Sequence, residues 1–197
     1  MRAEYSGVPL RAIAQLAKSW NFSEASFGMA ALNSYYATPS VADSHGFTLA
    51  DAPWPHIFDP FREAVAGKKV AVIGHFPFAP KALTQAADFY MLERSLNEGD
   101  YPDSAAEYIL PECDYVFITG SAFVNKTAPR LLELSRDAFN VILGPTTPLA
   151  PVLVEDYGVS QVTGMLPTSP LAMFEGLSGT DAATAMFEWG HRAELSA

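Results

Sequence analysis

Five short apolar runs punctuate the chain from residue 69 onward: KVAVIG (69–74), DFYMLE (88–93), YVFITG (115–120), NVILG (140–144) and, more weakly, SQVTGM (160–165). They do not alternate apolar with polar positions, and polar or helix-like stretches separate them. Strands buried on both faces read this way, because crossover helices cover a parallel sheet above and below. The pattern predicts an α/β fold with a Rossmann-like parallel sheet of about five strands flanked by helices, joined by right-handed crossovers. The clearest crossover is TAPRLLELSRDA (127–138), where Leu131, Leu134 and Ala138 share one side and Thr127 stands at a capping position.

Upstream the period changes to that of helices. Leu10, Ile13, Leu16, Ala17 and Trp20 recur at helical spacing behind Pro9, and a second helix starts at Asn21 or Ser23 with Ala25, Met29, Leu32 and Tyr36 on one stripe. Gly28 and Ala31 leave room there for close backbone approach, so the pair reads as a helical hairpin. Residues 37–60, with Pro39, Gly46, Pro53, Pro55 and Pro60, follow neither period and read as a long loop leading to a short helix over 61–66. The expected division is a helical N-terminal part over 1–60 and a Rossmann-like domain over 61–197. After Met165, PLAMFEGL and DAATAMFEWGHRAEL suggest one or two closing helices.

Composition narrows the partners. The chain has 197 residues, 49% hydrophobic and 17% charged, with a net charge of −10, so its field repels phosphate backbones and anionic membranes. Neither a nucleic acid nor a membrane is expected as a partner. The uncharged stretch 138–154 is short of the ~20 apolar residues that cross a bilayer. The first 20 residues, carrying Arg2, Glu4, Arg11 and Lys18, contain no signal-like apolar core, which predicts a cytoplasmic location. A single cysteine, Cys113, gives neither a disulfide framework nor a Cys-x-x-Cys knuckle.

Ligands of open parallel sheets sit beyond the carboxyl ends of the strands. Here those ends carry Gly74-His75-Phe76-Pro77, Glu93-Arg94, Thr119-Gly120-Ser121 leading to Asn125-Lys126-Thr127, and Gly144-Pro145-Thr146-Thr147-Pro148. Where a dinucleotide protein has Gly-x-Gly, VIGHFPF places rings and removes a donor at Pro77, which disfavours ordinary pyrophosphate binding. His75 is instead a candidate proton carrier or metal ligand, or a histidine bonded into its loop. Glu93, about 20 residues on, is placed to take ribose hydroxyls or simply to pair with Arg94. Lys126, Thr127, Thr146 and Thr147 precede helix starts, where an anionic group is favoured, although the threonines serve equally well as caps. Asn21 followed by Glu24 resembles a capping box, and Asn33 within an apolar helix needs a partner if buried. Phosphate-loop, His-Glu-x-x-His, Gly-x-Ser-x-Gly and calcium-loop signatures are absent. His45, His56 and His191 have no ligand spacing to His75, so any metal site must be assembled through space.

SWNFSEASFGMAALNSYY (19–36), VIGHFPF (72–78), LERSLNEGDYPDSAAEYILPECDYVFITGSAFVNKT (92–127) and LGPTTPLAPVLVEDYG (143–158) resemble the "putative heavy-metal chelation" domain family. The likeness covers most of residues 8–165. It implies a Rossmann-like domain joined to a part similar to the enolase N-terminal domain, with a site in the cleft between them that takes a transition metal ion or metal chelate. Carried over, it supports Asn21, Glu24 and Asn33 on the helical side and His75, Glu93, Asn125, Lys126 and Thr146 on the sheet side. Gly120, Thr127 and Thr147 complete the expected ligand contacts, Phe76 and Phe78 wall the pocket, and His75 with Glu93 is the expected metal pair. Family members place a β-containing segment before the first helix, whereas this chain starts almost at it. A shortened gene, a deletion or a partner chain supplying that layer would each account for this. The leading functional reading is binding or processing of a small anionic ligand or metal chelate between the helical part and the strand ends; two others stand beside it, an enzyme using a nucleotide-like cofactor such as a methyl donor, with Glu93 on ribose, and a homo-oligomeric interaction protein that covers Trp20, Phe22 and Met29.

Overall fold

The structure is a computed structural model that describes residues 5–50, 54–180 and 182–197. Its centre is one eight-stranded sheet: β1 (Thr48–Leu49), β2 (Lys69–Ile73), β3 (Asp88–Glu93), β4 (Tyr101–Pro102), β5 (Tyr115–Thr119), β6 (Phe139–Leu143), β7 (Gln161–Pro167) and β8 (Gly190–Ser196). The spatial order is β1-β8-β7-β6-β5-β2-β3-β4. All neighbours from β7 through β4 are parallel, while β8 runs antiparallel to β7 and β1 antiparallel to β8. The five expected strands are β2, β3, β5, β6 and β7.

Burial on both faces explains their unbroken apolar runs. On β5, Val116 and Ile118 face a cluster with Leu110, Leu131 and Leu153, whereas Phe117 faces the opposite cluster with Phe58, Phe61 and Val65. Phe117 meets Phe58 and Phe61 edge-on, with ring centroids 5.3 and 4.9 Å apart. A side chain of this kind, fully removed from water, contributes about 1.5–3 kcal/mol. The helices on the first of these faces include α5 (Ala106–Ile109), α6 (Ala128–Leu134) and α7 (Val152–Glu155).

The helical hairpin forms as expected. α1 (Leu10–Ala14) runs into a 3₁₀ turn at Gln15–Lys18, and α2 (Phe22–Tyr36) folds back against both. Gly28 is the contact point: a Cβ there would lie 1.9 Å from the Ala17 nitrogen. Three expectations need correction. The 37–60 loop contains α3 (Pro39–Ser44) and β1, and its end forms 3₁₀ turns at Trp54–His56 and Asp59–Phe61; Pro53 lies outside the described residues. The helix expected over 61–66 is a run of turns, in which Phe61 and Val65 still reach the core. After α4 (Ala79–Ala82), α8 (Pro170–Leu177) and α9 (Ala182–Trp189), the GHRAEL segment is strand β8, not helix. The free edge of β7 supplies the reason, since β8 satisfies it along seven residue pairs, Gln161 to Pro167. Among the described residues, no helix is long and apolar enough to cross a membrane.

Candidate functional site

The chain leaves β2 toward β3 and β4, then returns to the other side of β2 for β5, β6 and β7. The order reverses between β2 and β5, and the crevice beyond such a reversal is where open α/β sheets hold ligands. Gly74, with φ +103°, turns the chain out of β2; a Cβ there would lie 3.0 Å from Cβ of Thr119 at the end of β5. A cleft of about 660 Å³ opens at this point. His75, Phe76 and Glu93 line it from the β2 and β3 ends, Thr119, Ser121, Asn125 and Thr127 from the β5 end, and Arg94 and Arg130 from its flanks.

Glu93 does not face the cleft as a free carboxylate. Its Oε1 accepts the His75 backbone N–H at 2.8 Å and its Oε2 accepts that of Arg94 at 2.7 Å. The amide that a phosphate would approach in a glycine-rich turn is therefore already bonded, and Phe76 fills the neighbouring volume. The His75 ring is half open to solvent, and its Nδ1 lies 3.3 Å from Asp100 Oδ2 and 3.2 Å from Asn97 Nδ2. Asp100 Oδ2 accepts from the Asn97 backbone N–H at 3.0 Å and from its side chain at 3.3 Å. Those bonds, led by the backbone N–H, hold the Asp100 carboxyl below its usual range, and the neighbouring imidazole adds to the effect. His75 Nε2 has no hydrogen bond among the described residues.

Both cleft arginines are paired. Arg130 grips Glu107 with Nε at 2.9 Å and a terminal nitrogen at 2.5 Å, and reaches Glu133 at 2.7 Å. The hydrogen bonds from Arg130 depress the Glu107 carboxyl. Arg94 lies 3.4 Å from Asp103 and 5.9 Å above the Phe22 ring. Asn125 Oδ1 accepts the Thr127 N–H at 3.1 Å and its hydroxyl at 2.6 Å, so Thr127 is tied to Asn125 and does not cap α6. Between them Lys126 takes a left-handed φ of +68° and its Nζ donates to the Ala17 carbonyl, the end of the helical hairpin. That amino group fastens the N-terminal helices to the sheet rim and lines neither cleft.

A second cleft, about 680 Å³, lies between α2, the β5–α6 turn, the loop after β6 and α8. Asn33 enters it from α2: its Nδ2 donates to the Thr146 carbonyl at 2.8 Å, and its buried Oδ1 has no partner. Ser121 and Asn125 line both clefts, so the turn that carries them is the partition. Thr147 is 3% exposed and packs behind the rim, where a Cβ on Gly120 would lie 2.5 Å from the Thr147 nitrogen. Asn21 caps α2, accepting from Ser23 N at 3.0 Å. The box is relayed: Ser19 Oγ accepts from Asn21 N at 3.0 Å and donates to Glu24 at 2.6 Å.

The expected site thus divides. His75, Phe76, Glu93, Asn125 and Thr127 share the first cleft, Asn33, Asn125 and Thr146 the second, and Asn21, Glu24, Gly120, Lys126 and Thr147 serve local structure. Phe78 packs against the core instead of walling either cleft. Asp100, Asn97, Glu107 and Arg130 were not anticipated; the first two lie in the polar run NEGD at 97–100, which carries no signal beyond its polarity. Of the expected metal pair, Glu93 already accepts a backbone N–H on each carboxylate oxygen. No group of three His, Cys, Asp or Glu side chains among the described residues is arranged to hold an ion. The other member of the expected pair, His75, keeps its Nε2 without a hydrogen bond among the described residues.

Known proteins place this arrangement in a family. A family model described as "Putative heavy-metal chelation", DUF364, matches residues 56–193, and a second with the same description, DUF4213, matches residues 2–36. The chain belongs to the DUF364 family. A solved DUF364 protein from Desulfitobacterium hafniense, of unknown function, superposes with a TM-score of 0.85 at 44% identity, covering 97% of this chain and 75% of that one. A DUF364 protein from Pyrococcus horikoshii, 23% identical, shares the fold with a TM-score of 0.77 over 95% of this chain and 75% of its own. An uncharacterised Methanocaldococcus jannaschii protein is 31% identical over 101 residues, which span 48% of this chain and 39% of that protein. The DUF364 match includes the whole first cleft, from His75 to Arg130, and the Rossmann-like expectation for the sheet holds.

Proposed function

We propose that this DUF364 protein binds a small metal chelate in the cleft at the β2/β5 reversal, with the organic part of the chelate supplying most of the metal's donors and His75 Nε2 completing them. The observation that carries this reading is the single unshared imidazole nitrogen in a cleft whose carboxylates are otherwise engaged. Charge refines the ligand. The lining holds Arg94 and Arg130 against Glu93, Asp103 and Glu107, so it offers no cationic excess. A chelate whose carboxylate arms are offset by its metal suits such a lining better than a strongly anionic one, with the hydroxyls of Thr119 and Ser121 available to those arms. A nucleotide-like cofactor is less well served, since Glu93 already occupies the turn amide.

The test is calorimetric titration with nickel–iminodiacetate, which is neutral and has open coordination positions, beside nickel–EDTA, which has none. Saturable binding of the first and not the second is expected, weakened at least about 10-fold in His75→Ala. Equal binding by the wild type and His75→Ala would refute the assignment.

A further inference from the structure

We infer that Asp100, steadied by Asn97, is a positioning residue that holds neutral His75 with its proton on Nδ1 and its lone pair on Nε2. The inference deepens the chelate reading and rests on it for its effect on binding, but not for the tautomer itself.

Nδ1 of His75 has two neighbours with opposite requirements. Asp100 Oδ2, at 3.3 Å, only accepts, and Asn97 Nδ2, at 3.2 Å, only donates. The Asn97 amide is not obliged to give its proton to the ring, because the same Asp100 oxygen lies 3.3 Å from it. With the proton on Nδ1, the amide donates to the carboxylate and the ring N–H lies 3.3 Å from the same charged oxygen, and interactions of this kind with an ion are roughly twice as strong as neutral ones. With the proton on Nε2, Nδ1 would accept one Asn97 amide hydrogen at 3.2 Å, but its lone pair would also face an ionised oxygen at 3.3 Å with no proton between those two atoms. The first arrangement wins.

Asp100 is placed to enforce it. Its side chain is only 5% exposed, against 42% for the His75 ring, so the carboxylate is the fixed partner of the pair. The Asn97 backbone N–H bonds the same oxygen at 3.0 Å, and the next residue, Tyr101, is anchored by pairing of β4 with Leu92 of β3. Charged groups around the ring from the other elements are Glu93, whose oxygens are held by backbone, and Arg94, which is turned to Asp103 and Phe22. A histidine that ligates metal commonly donates its other ring N–H to a carboxylate in this manner, which fixes the ring and raises its basicity.

Long-range ¹H–¹⁵N correlation spectra of ligand-free protein at about pH 9, where imidazoles are neutral, read the tautomer directly. The expected wild-type pattern is a protonated Nδ1 and a bare Nε2. Asp100→Asn, which keeps the shape, should move the proton toward Nε2 and weaken nickel–iminodiacetate about 10- to 100-fold. Asn97→Ala should leave the tautomer as it is. A wild-type ring protonated on Nε2, a tautomer indifferent to Asp100→Asn, or one that changes in Asn97→Ala would each overturn the inference. If the tautomer responds as stated while nickel–iminodiacetate fails to bind, the chelate reading falls and the role of Asp100 is supported.

Discussion

Gly28→Ala sets two effects of opposite sign against each other. In an exposed helix interior the change gains up to about 1 kcal/mol, because alanine restricts the unfolded chain and glycine does not. At Gly28 the added methyl would lie 1.9 Å from Ala17 N, 2.5 Å from Leu16 C and 2.6 Å from Ala17 Cα. Nonbonded carbons rest at about 3.5–4.0 Å, so the crossing segments must separate by more than 1 Å at roughly this point. All three neighbours are backbone, which no rotamer change can move.

Overpacking of this kind costs about 1–3 kcal/mol and sometimes more. The displaced residue is also the one whose carbonyl accepts Lys126 Nζ, so part of a charge-assisted bond worth about 1.5–3 kcal/mol is at risk. The clash outweighs the helix term, and the net expectation is a loss of about 2 kcal/mol. With an m-value of about 2 kcal/mol/M, the urea midpoint at 25 °C should fall by about 1 M. A midpoint that is unchanged or raised would refute the close crossing of α2 over the 3₁₀ turn. The loss should also be less than additive with Lys126→Met, since both act on Ala17.

Lys126→Met alone should lower stability by about 1–2 kcal/mol in the same urea assay and leave nickel–iminodiacetate affinity unchanged; a fall in affinity without a fall in stability would return Lys126 to the ligand. Burial pushes the Cys113 thiol up to about 11, so iodoacetamide at pH 8 should fail to label the folded protein and label it readily in denaturant. The raised value has a linked effect: the unfolded thiol ionises near 9.0 while the folded one does not, so the contribution of Cys113 is intact below pH 9.0 and is lost as pH rises toward 11. Cys113→Ala should flatten the decline in urea midpoint over that interval, and an identical decline in both proteins would count against the buried thiol.

The fold was legible where burial dictates composition. β2, β3, β5, β6 and β7 announce themselves because a strand with helices on both faces has little place for a polar side chain. Gly28 was legible for a related reason, since a glycine within an apolar helical stripe signals close approach. β1 and β4, two residues each, are too short to show any period. β8 misled for a different reason. Its segment follows α9 directly, with Gly190 as its first residue, and it buries Arg192. What makes it a strand is the unpaired edge of β7, a tertiary fact that local propensity does not contain.

The site shows the same division between local and distant causes. Strand-end reasoning put His75 and Glu93 at the rim, where topology alone carries them. It could not foresee the contacts of their neighbours, because those come from elsewhere in the chain. Lys126 beside a helix start suggests an anion, yet the carbonyl of Ala17, 109 residues away, accepts its hydrogen bond. Glu93 suggests ribose or metal, yet the turn it faces uses both oxygens for backbone. Asp100 drew no notice because an acidic residue in a polar loop is ordinarily solvated, and nothing in NEGD tells that β4 will pin the loop against His75. A cleft whose obvious charged groups are spent on holding its own walls leaves recognition to the few atoms without partners. His75 Nε2 in the first cleft and Asn33 Oδ1 in the second are such atoms, on either side of the turn that Ser121 and Asn125 share.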